Sequence, residues 1–304
     1  MSDNSQTGGR ADNIPLAISV IVFAVMALSL GDALIKFTSG NFALWQIFVL
    51  RSIIVIPLLF VYLQLRTPAS LKISSAFNWT VLRSLLLVVM WILYYLALPH
   101  LQLSVAAATY YTLPIFITLF SALLIGNRIS GTGWIAVVLG FVGVLLILRP
   151  KVGDFHWFAL LPLGAAILYA LSMILTRTKC RNEHPLMLSL MLNIAFLLVG
   201  GVSALAVEWS GPTSREGFLL APWATMEMSE WLAMLILAAA ILIGSIGAAI
   251  AYQNGPPAMV GTFDFAYVGF AVLWGVVFFA EVPDLISIVG MVLIVVAGIL
   301  SLRQ

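Results

Sequence analysis

A chain of 304 residues that is 62% hydrophobic and only 9% charged cannot cover a water-facing surface, because soluble domains carry about 25% charged residues. Its mean hydropathy of +1.12 places it in a membrane, and a net charge of +2 is too small to argue for nucleic acid as a partner. A single cysteine, Cys180, excludes an intramolecular disulfide and reads as a loop thiol between basic residues.

About 20 helical residues cross a hydrocarbon core. Ten apolar runs meet that length within a few residues, at 14–36, 42–64, 78–98, 102–124, 131–149, 156–176, 186–209, 231–253, 256–280 and 284–302. Residues 1–13 form a polar tail in which Arg10 is offset by Asp3 and Asp12, and no Ala-x-Ala site follows. The first run is therefore expected to be a retained helix rather than a cleaved signal. The longest connection, Ser210–Glu230, reads as a surface loop with an interfacial piece around Trp223.

Charges are rare inside these runs, so each is a candidate. The first run carries Asp32 and Lys36 in "GDALIKF". Their i,i+4 spacing suits a local pair, with Lys36 reaching the interface, while Asp32 lies a turn deeper and is equally a cavity candidate. The second run holds Arg51 in "LWQIFVLRSIIV", nine residues from Phe42 and so about 13 Å deep at about 1.5 Å per residue. In the third, Arg83 lies near one end and reads as an interfacial anchor or a pathway residue, and Tyr94 and Tyr95 close the segment "MWILYY". The fourth carries Tyr110, Tyr111 and Pro114 in "TYYTLP"; this proline removes a backbone hydrogen bond and marks either a hinge or a static kink.

The ninth run holds the most informative charge. Asp264 is the only formally charged residue from Pro256 to Ala280, and a carboxylate there costs about 2.5–3.5 kcal/mol on insertion scales. Eight residues from Pro256 place it about 12 Å deep from the face opposite that used for Arg51. The two are expected either to pair or to form two walls of one wet cavity. Asp264, Tyr267, Ala271 and Gly275 follow i, i+3, i+7 and i+11, one stripe on a continuous helix. Trp45, Trp79, Trp157, Trp209 and Trp231 fall at run ends, as membrane-belt anchors do. Ala240-x3-Gly244-x3-Ala248 and Ala136-x3-Gly140 suit close helix packing.

Lysine and arginine in the loops set orientation. With the N-terminus cytoplasmic, the inner side holds Arg10, Arg66, Lys72, Arg128, Arg177, Lys179, Arg181 and Arg303, eight in all, against four outside: Lys36, Arg149, Lys151 and Arg215. Both termini are expected inside. The chain also repeats: residues 103–150 align without a gap on 257–304, pairing Tyr110 with Asp264 and Asn127 with Glu281. An odd count of five helices per half inverts the second half relative to the first, which puts a site near the midplane between halves.

Several chemistries are missing. The chain has no Gly-x4-Gly-Lys-Ser/Thr, His-Glu-x2-His or Gly-x-Ser-x-Gly, and His100, His156 and His184 are scattered near run ends. ATP hydrolysis by a P-loop, a zinc site and a serine-hydrolase activity are not expected, nor is any cofactor.

The segments "LSVAAATYYTLPIFITLFSALLIGNRISGTGWIAVVLGFVGVLLILRP" and "PPAMVGTFDFAYVGFAVLWGVVFFAEVPDLISIVGMVLIVVAGIL" resemble the ends of the two halves of an EamA-domain protein of the drug/metabolite transporter superfamily. "GDALIKF" and "LWQIFVLRSIIV" resemble its first two helices. The resemblance implies an all-α integral membrane protein with ten transmembrane helices in two inverted five-helix repeats, 14–150 and 155–304, and both termini cytoplasmic. It further implies a secondary carrier of small metabolites in a bacterial-type inner membrane, often an amino-acid exporter, with relatives that import nucleosides, cofactors or S-adenosylmethionine. The acidic position after the ninth helix carries over to Glu281 and the helix-two arginine to Arg51; the matching position after the fourth helix is Asn127 and departs from the pattern. The expected partners are the bilayer and a zwitterionic metabolite, with proton coupling and a monomer or homodimer. A purely structural membrane protein, in which Asp264 and Arg51 only lock the fold, is the alternative from another class.

Overall fold

The computed structural model describes residues 12–38, 42–71, 74–97, 109–126, 129–148, 158, 160–209, 217–280 and 285–301. Apolar runs without water must satisfy their backbone internally, and the described residues form helices with no strand among them. In chain order these are α1 (Ile14–Thr38), α2 (Leu44–Arg66), α3 (Phe77–Ala97), α4 (Leu113–Phe120, extended by a π-turn Ser121–Ile125), α5 (Gly131–Leu148) and α6 (Leu160–Thr178). The second half continues with α7 (Pro185–Trp209), α8 (Met228–Asn254), α9 in two pieces (Pro257–Phe263 and Ala266–Phe279) and α10 (Leu285–Ser301).

Seven of these, α1, α2, α3, α6, α7, α8 and α9 taken through its break, are long and apolar enough to cross a membrane. The protein is therefore a multi-pass integral membrane protein. Three shorter apolar stretches, Phe116–Ile125, Gly131–Gly143 and Ile288–Ala297, lie on α4, α5 and α10. The start of the run expected at 102–124 lies outside the described residues.

Helix ends follow local chemistry. Glu227 and Glu230 form a reciprocal capping box at the start of α8, which satisfies two orphan backbone donors. α8 stops at Gly255-Pro256, and Pro257 opens α9 at a position where its missing N–H costs nothing. In the Ser210–Glu230 loop, the described part holds one helical turn, Gly217–Leu220. Buried Gln46 of α2 clamps this loop, donating to the Ala224 carbonyl and accepting from the Ala224 N–H at 2.8 Å each.

The helices pack mainly as α5 on α10, α1 on α8, α3 on α6 and α2 on α7. Secondary contacts join α1 to α9, α4 to α6, α3 to α7, α2 to α8 and α4 to the first piece of α9. Small residues permit the closest approaches. A Cβ on Gly244 of α8 would lie 2.4 Å from Leu28 of α1, and one on Gly140 of α5 would lie 2.6 Å from the ring of Phe265. The small-residue motifs thus serve packing, as their spacing implies. Trp79 and Trp231 are partly exposed at helix ends and Trp209 is 94% exposed, as belt anchors require.

Candidate functional site

α9 is not the continuous helix that its stripe implies. At Asp264 and Phe265 the hydrogen bonding tightens: the Phe265 N–H bonds Thr262 O at 3.4 Å and the Tyr267 N–H bonds Asp264 O at 3.0 Å. These are i→i−3 bonds, and such tightening inside a helix marks a break. The start of α4 shows the same device, with Tyr111 and Thr112 in a turn and the Thr112 N–H bonded to Thr109 O at 3.3 Å. With the 154-residue offset expected from the sequence, Asp264 and Phe265 correspond to Tyr110 and Tyr111. The two breaks therefore fall within one residue of equivalent positions.

Between them lies a cavity to which both halves contribute. α1 provides Val25, Leu28 and Asp32; α3 provides Met90, Trp91 and Tyr94. The segment leading into α4 adds Tyr110 and Tyr111, α4 adds Leu113, α6 adds Tyr169, and α9 adds Asp264 and Tyr267. The outline spans about 440 Å³, part of it open to solvent, and about 30 Å³ admits a water-sized guest, roughly two water molecules at about 10–15 Å³ each.

Tyrosine hydroxyls surround both carboxylates. Tyr267 donates to Asp32 Oδ2 at 2.5 Å and Tyr95 to Asp32 Oδ1 at 3.2 Å, tying α1 to α9 and α3. Tyr252 of α8 donates to Asp264 Oδ2 at 2.5 Å. Asp264 is 3% exposed, and among the described residues no donor reaches its Oδ1. The rings form a connected wall: Tyr94 and Tyr110 have centroids 5.1 Å apart, Tyr110 and Tyr169 6.3 Å, and Tyr169 and Tyr252 6.5 Å.

Several expectations need correction. Arg51 does not pair with Asp264 and does not line the cavity. Its guanidinium carbon lies 4.9 Å from the Phe48 ring centre and 4.2 Å from that of Phe196, on α7, a cation–π arrangement. Its nearest electrostatic neighbours are Tyr95 and Asp32, and no acceptor among the described residues reaches its Nε or Nη2. The reason is azimuth: equal depth in the membrane does not make two side chains face each other. Nor is Arg83 an interfacial anchor or a cavity wall. It is 1% exposed and its Nε donates to Thr176 Oγ1 of α6 at 2.6 Å, so it pins α3 to α6. Tyr95 joins the site through Asp32 rather than by lining the cavity. Lys36 lies in α1 with its side chain outside the described residues, and so do Glu281 and Asn127.

Reading the sequence for charges passes over Tyr169, Tyr252, Met90 and Trp91 as site residues. A tyrosine near a helix end looks like a belt aromatic, and only the fold turns Tyr252 inward. Its one sequence signal is proximity: it lies twelve residues before Asp264, across the Gly255-Pro256 turn.

Around that turn the helix ends are tied together. Arg177 of α6 and Arg181 beyond it both pair with Asp12, at 2.8 and 2.5 Å, and both also donate to the Gln253 carbonyl, at 3.1 and 3.3 Å. The Gln253 amide in turn donates to the carbonyls of Cys180 and Glu183, at 2.8 Å each. Cys180 is fully buried beside this network, and that burial pushes its thiol above the ordinary cysteine value.

Comparison with known proteins matches part of the chain to a family. Residues 15–149 match the EamA-like transporter family. That stretch is an EamA-like domain. The resemblance to the drug/metabolite transporter superfamily read from the segments quoted above is thereby borne out. The chain is 26% identical to the Pseudopaline exporter CntI of Pseudomonas aeruginosa over 289 residues, covering 95% of this chain and 96% of that one. It is 28% identical to a Riboflavin transporter of Rhizobium johnstonii, covering 66% and 61%, and 27% identical to an S-adenosylmethionine uptake transporter of Rickettsia prowazekii, covering 64% and 63%. A solved crystal structure superposes with a TM-score of 0.74 over 93% of this chain and 96% of its own, at 20% identity, a likeness of fold alone.

Proposed function

We propose that this EamA-domain protein is a secondary carrier, driven without ATP, that moves small metabolites across a bacterial inner membrane by alternating access. In this reading, residues 14–150 and 155–304 are two inverted five-helix repeats with both termini cytoplasmic. The packing supports it. Exchanging each helix for its partner in the other half, α1 for α6 through α5 for α10, turns α1–α8 into α3–α6, α1–α9 into α4–α6 and α3–α7 into α2–α8, while α2–α7 and α5–α10 map onto themselves. Relatives named as transporters support the carrier role itself.

The observation that carries the proposal is the carboxylate at the α9 break, facing a cavity between the halves and opposed by the equivalent break beside α4. Discontinuous helices at the interface of repeats are where carriers bind substrate and coupling ions. Asp264 then holds the coupling proton or the positive group of the substrate, and Asp32 with Tyr267 links the halves across the same space. We infer export of amino acids, including large apolar or aromatic ones, as the activity; the ring-lined cavity suits such side chains. The same rings also suit a flat heteroaromatic guest, and uptake of a cofactor-like metabolite is the second reading. Efflux of labelled amino acids from liposomes holding the purified protein, with and without a pH gradient, tests the first. Flux that Asp264→Asn abolishes in a folded variant is the expected result. Absence of amino-acid flux alongside flux of a flavin or an onium nucleoside selects the second.

A further inference from the structure

We propose that the cavity at the α9 break selects an organic cation, an ammonium or sulfonium on an apolar or aromatic body, with Asp264 as its counter-ion. This rests on the carrier reading of the same cavity and narrows its substrate from zwitterions in general to molecules recognised by their positive end. Three features of the site converge on that chemistry.

The first is the free acceptor. Asp264 is buried, its Oδ2 is taken by Tyr252 and its Oδ1 meets no donor among the described residues. A buried carboxylate oxygen left in this way is costly unless a partner arrives, and none of the tyrosine hydroxyls of the lining reaches it. The second is the wall. Trp91, Tyr94, Tyr110 and Tyr169 bound the space, and ring faces carry negative electrostatic character that attracts cations, most strongly where water is excluded. The third is the lack of a base: among the described side chains no lysine or arginine lines the cavity. Arg51, which its depth in the sequence set opposite Asp264 as a pairing partner or a second cavity wall, is turned onto Phe48 and Phe196. A substrate carboxylate entering beside Asp264 meets that carboxylate and ring faces, all of the wrong sign.

The test uses three ligands with one aromatic body and different charge: phenethylamine (cationic), phenylalanine (zwitterionic) and hydrocinnamate (anionic). Their binding to the purified full-length protein in detergent is measured by calorimetry. The expected order is amine over zwitterion over anion, with the amine at least about tenfold tighter than hydrocinnamate, the equivalent of about 1.4 kcal/mol. In Asp264→Asn, with helicity retained, that advantage is expected to disappear. Hydrocinnamate binding as tightly as the amine, or no binding of any of the three, overturns the proposal in the wild type alone, so a variant that fails to fold leaves it testable. Persistence of the order in folded Asp264→Asn overturns the role of Asp264. Flux in liposomes separates the two levels: the charge order in binding without flux of any ligand sinks the carrier reading and upholds the cation site, whereas flux indifferent to charge does the reverse.

Discussion

Acidic residues are used in two contrasting ways in this protein. At the helix ends Asp12 is matched by two arginines, Arg177 and Arg181, and the trio is partly exposed, with side-chain exposures of 16–28%. In the cavity, Asp264 is met by the neutral hydroxyl of Tyr252, while Asp32 accepts from Tyr95 and Tyr267 and has Arg51 as an electrostatic neighbour. The first arrangement is complete in itself. The one at Asp264 holds a charge in place without cancelling it, which is what a site needs if its counter-charge is to arrive and leave. The difference teaches that the informative carboxylate in a membrane protein is the one whose neighbours orient it without neutralising it.

Four substitutions break or sharpen that contrast. Asp264→Asn removes the uncancelled charge; a hydrogen bond to a charged group contributes about 1.5–3 kcal/mol, so flux of a substrate that uses it is expected to fall about 10- to 100-fold. Because the same change removes a charge that costs free energy to bury, the melting temperature of the variant is expected to hold or rise. A large fall in melting temperature with per-molecule flux intact would instead make Asp264 structural. At the other region Gln253→Ala strips the Cys180 and Glu183 carbonyls of their shared donor, and a loss of about 1–3 kcal/mol of stability is expected in thermal unfolding, with flux little changed. Tyr252→Phe takes one hydroxyl from Asp264 and is expected to weaken ligand binding by a smaller factor, about fivefold for about 1 kcal/mol; an unchanged affinity would detach Tyr252 from the site. Asp12→Asn is expected to have the smallest effect, under about 1 kcal/mol and shrinking with added salt, since partly exposed pairs are screened.

Much of this was legible before the fold. The spans follow from apolar runs, and Asp32, Tyr94, Tyr110, Tyr111, Asp264 and Tyr267, chosen for depth and residue type, meet in one cavity. Arg51 was legible as deep and illegible as to direction, and Arg83, near a run end, read as an interfacial anchor or a pathway residue although it is buried. Depth is one coordinate along the membrane normal, and the helices that carry them are apolar nearly all round, so periodicity does not say which face turns inward. The α9 break is equally silent in sequence, because neither Asp264 nor Phe265 is a proline or glycine and the tightening comes from packing around the turn. The alignment of 103–150 on 257–304 expected from the sequence sets that turn beside Tyr110 and Tyr111.

Gly140 gives the break a mechanical meaning. Phe265 occupies the turn next to Asp264, and its ring rests where a side chain at position 140 would stand, 2.6 Å from an added Cβ. One side of the turn thus faces the cavity while the other bears on α5, which is itself packed along α10. If the carboxylate is to swing when its guest changes, the phenyl ring has to roll over bare backbone, and the smallest side chain placed under that ring is expected to pin the turn, from a helix that contributes nothing to the cavity lining.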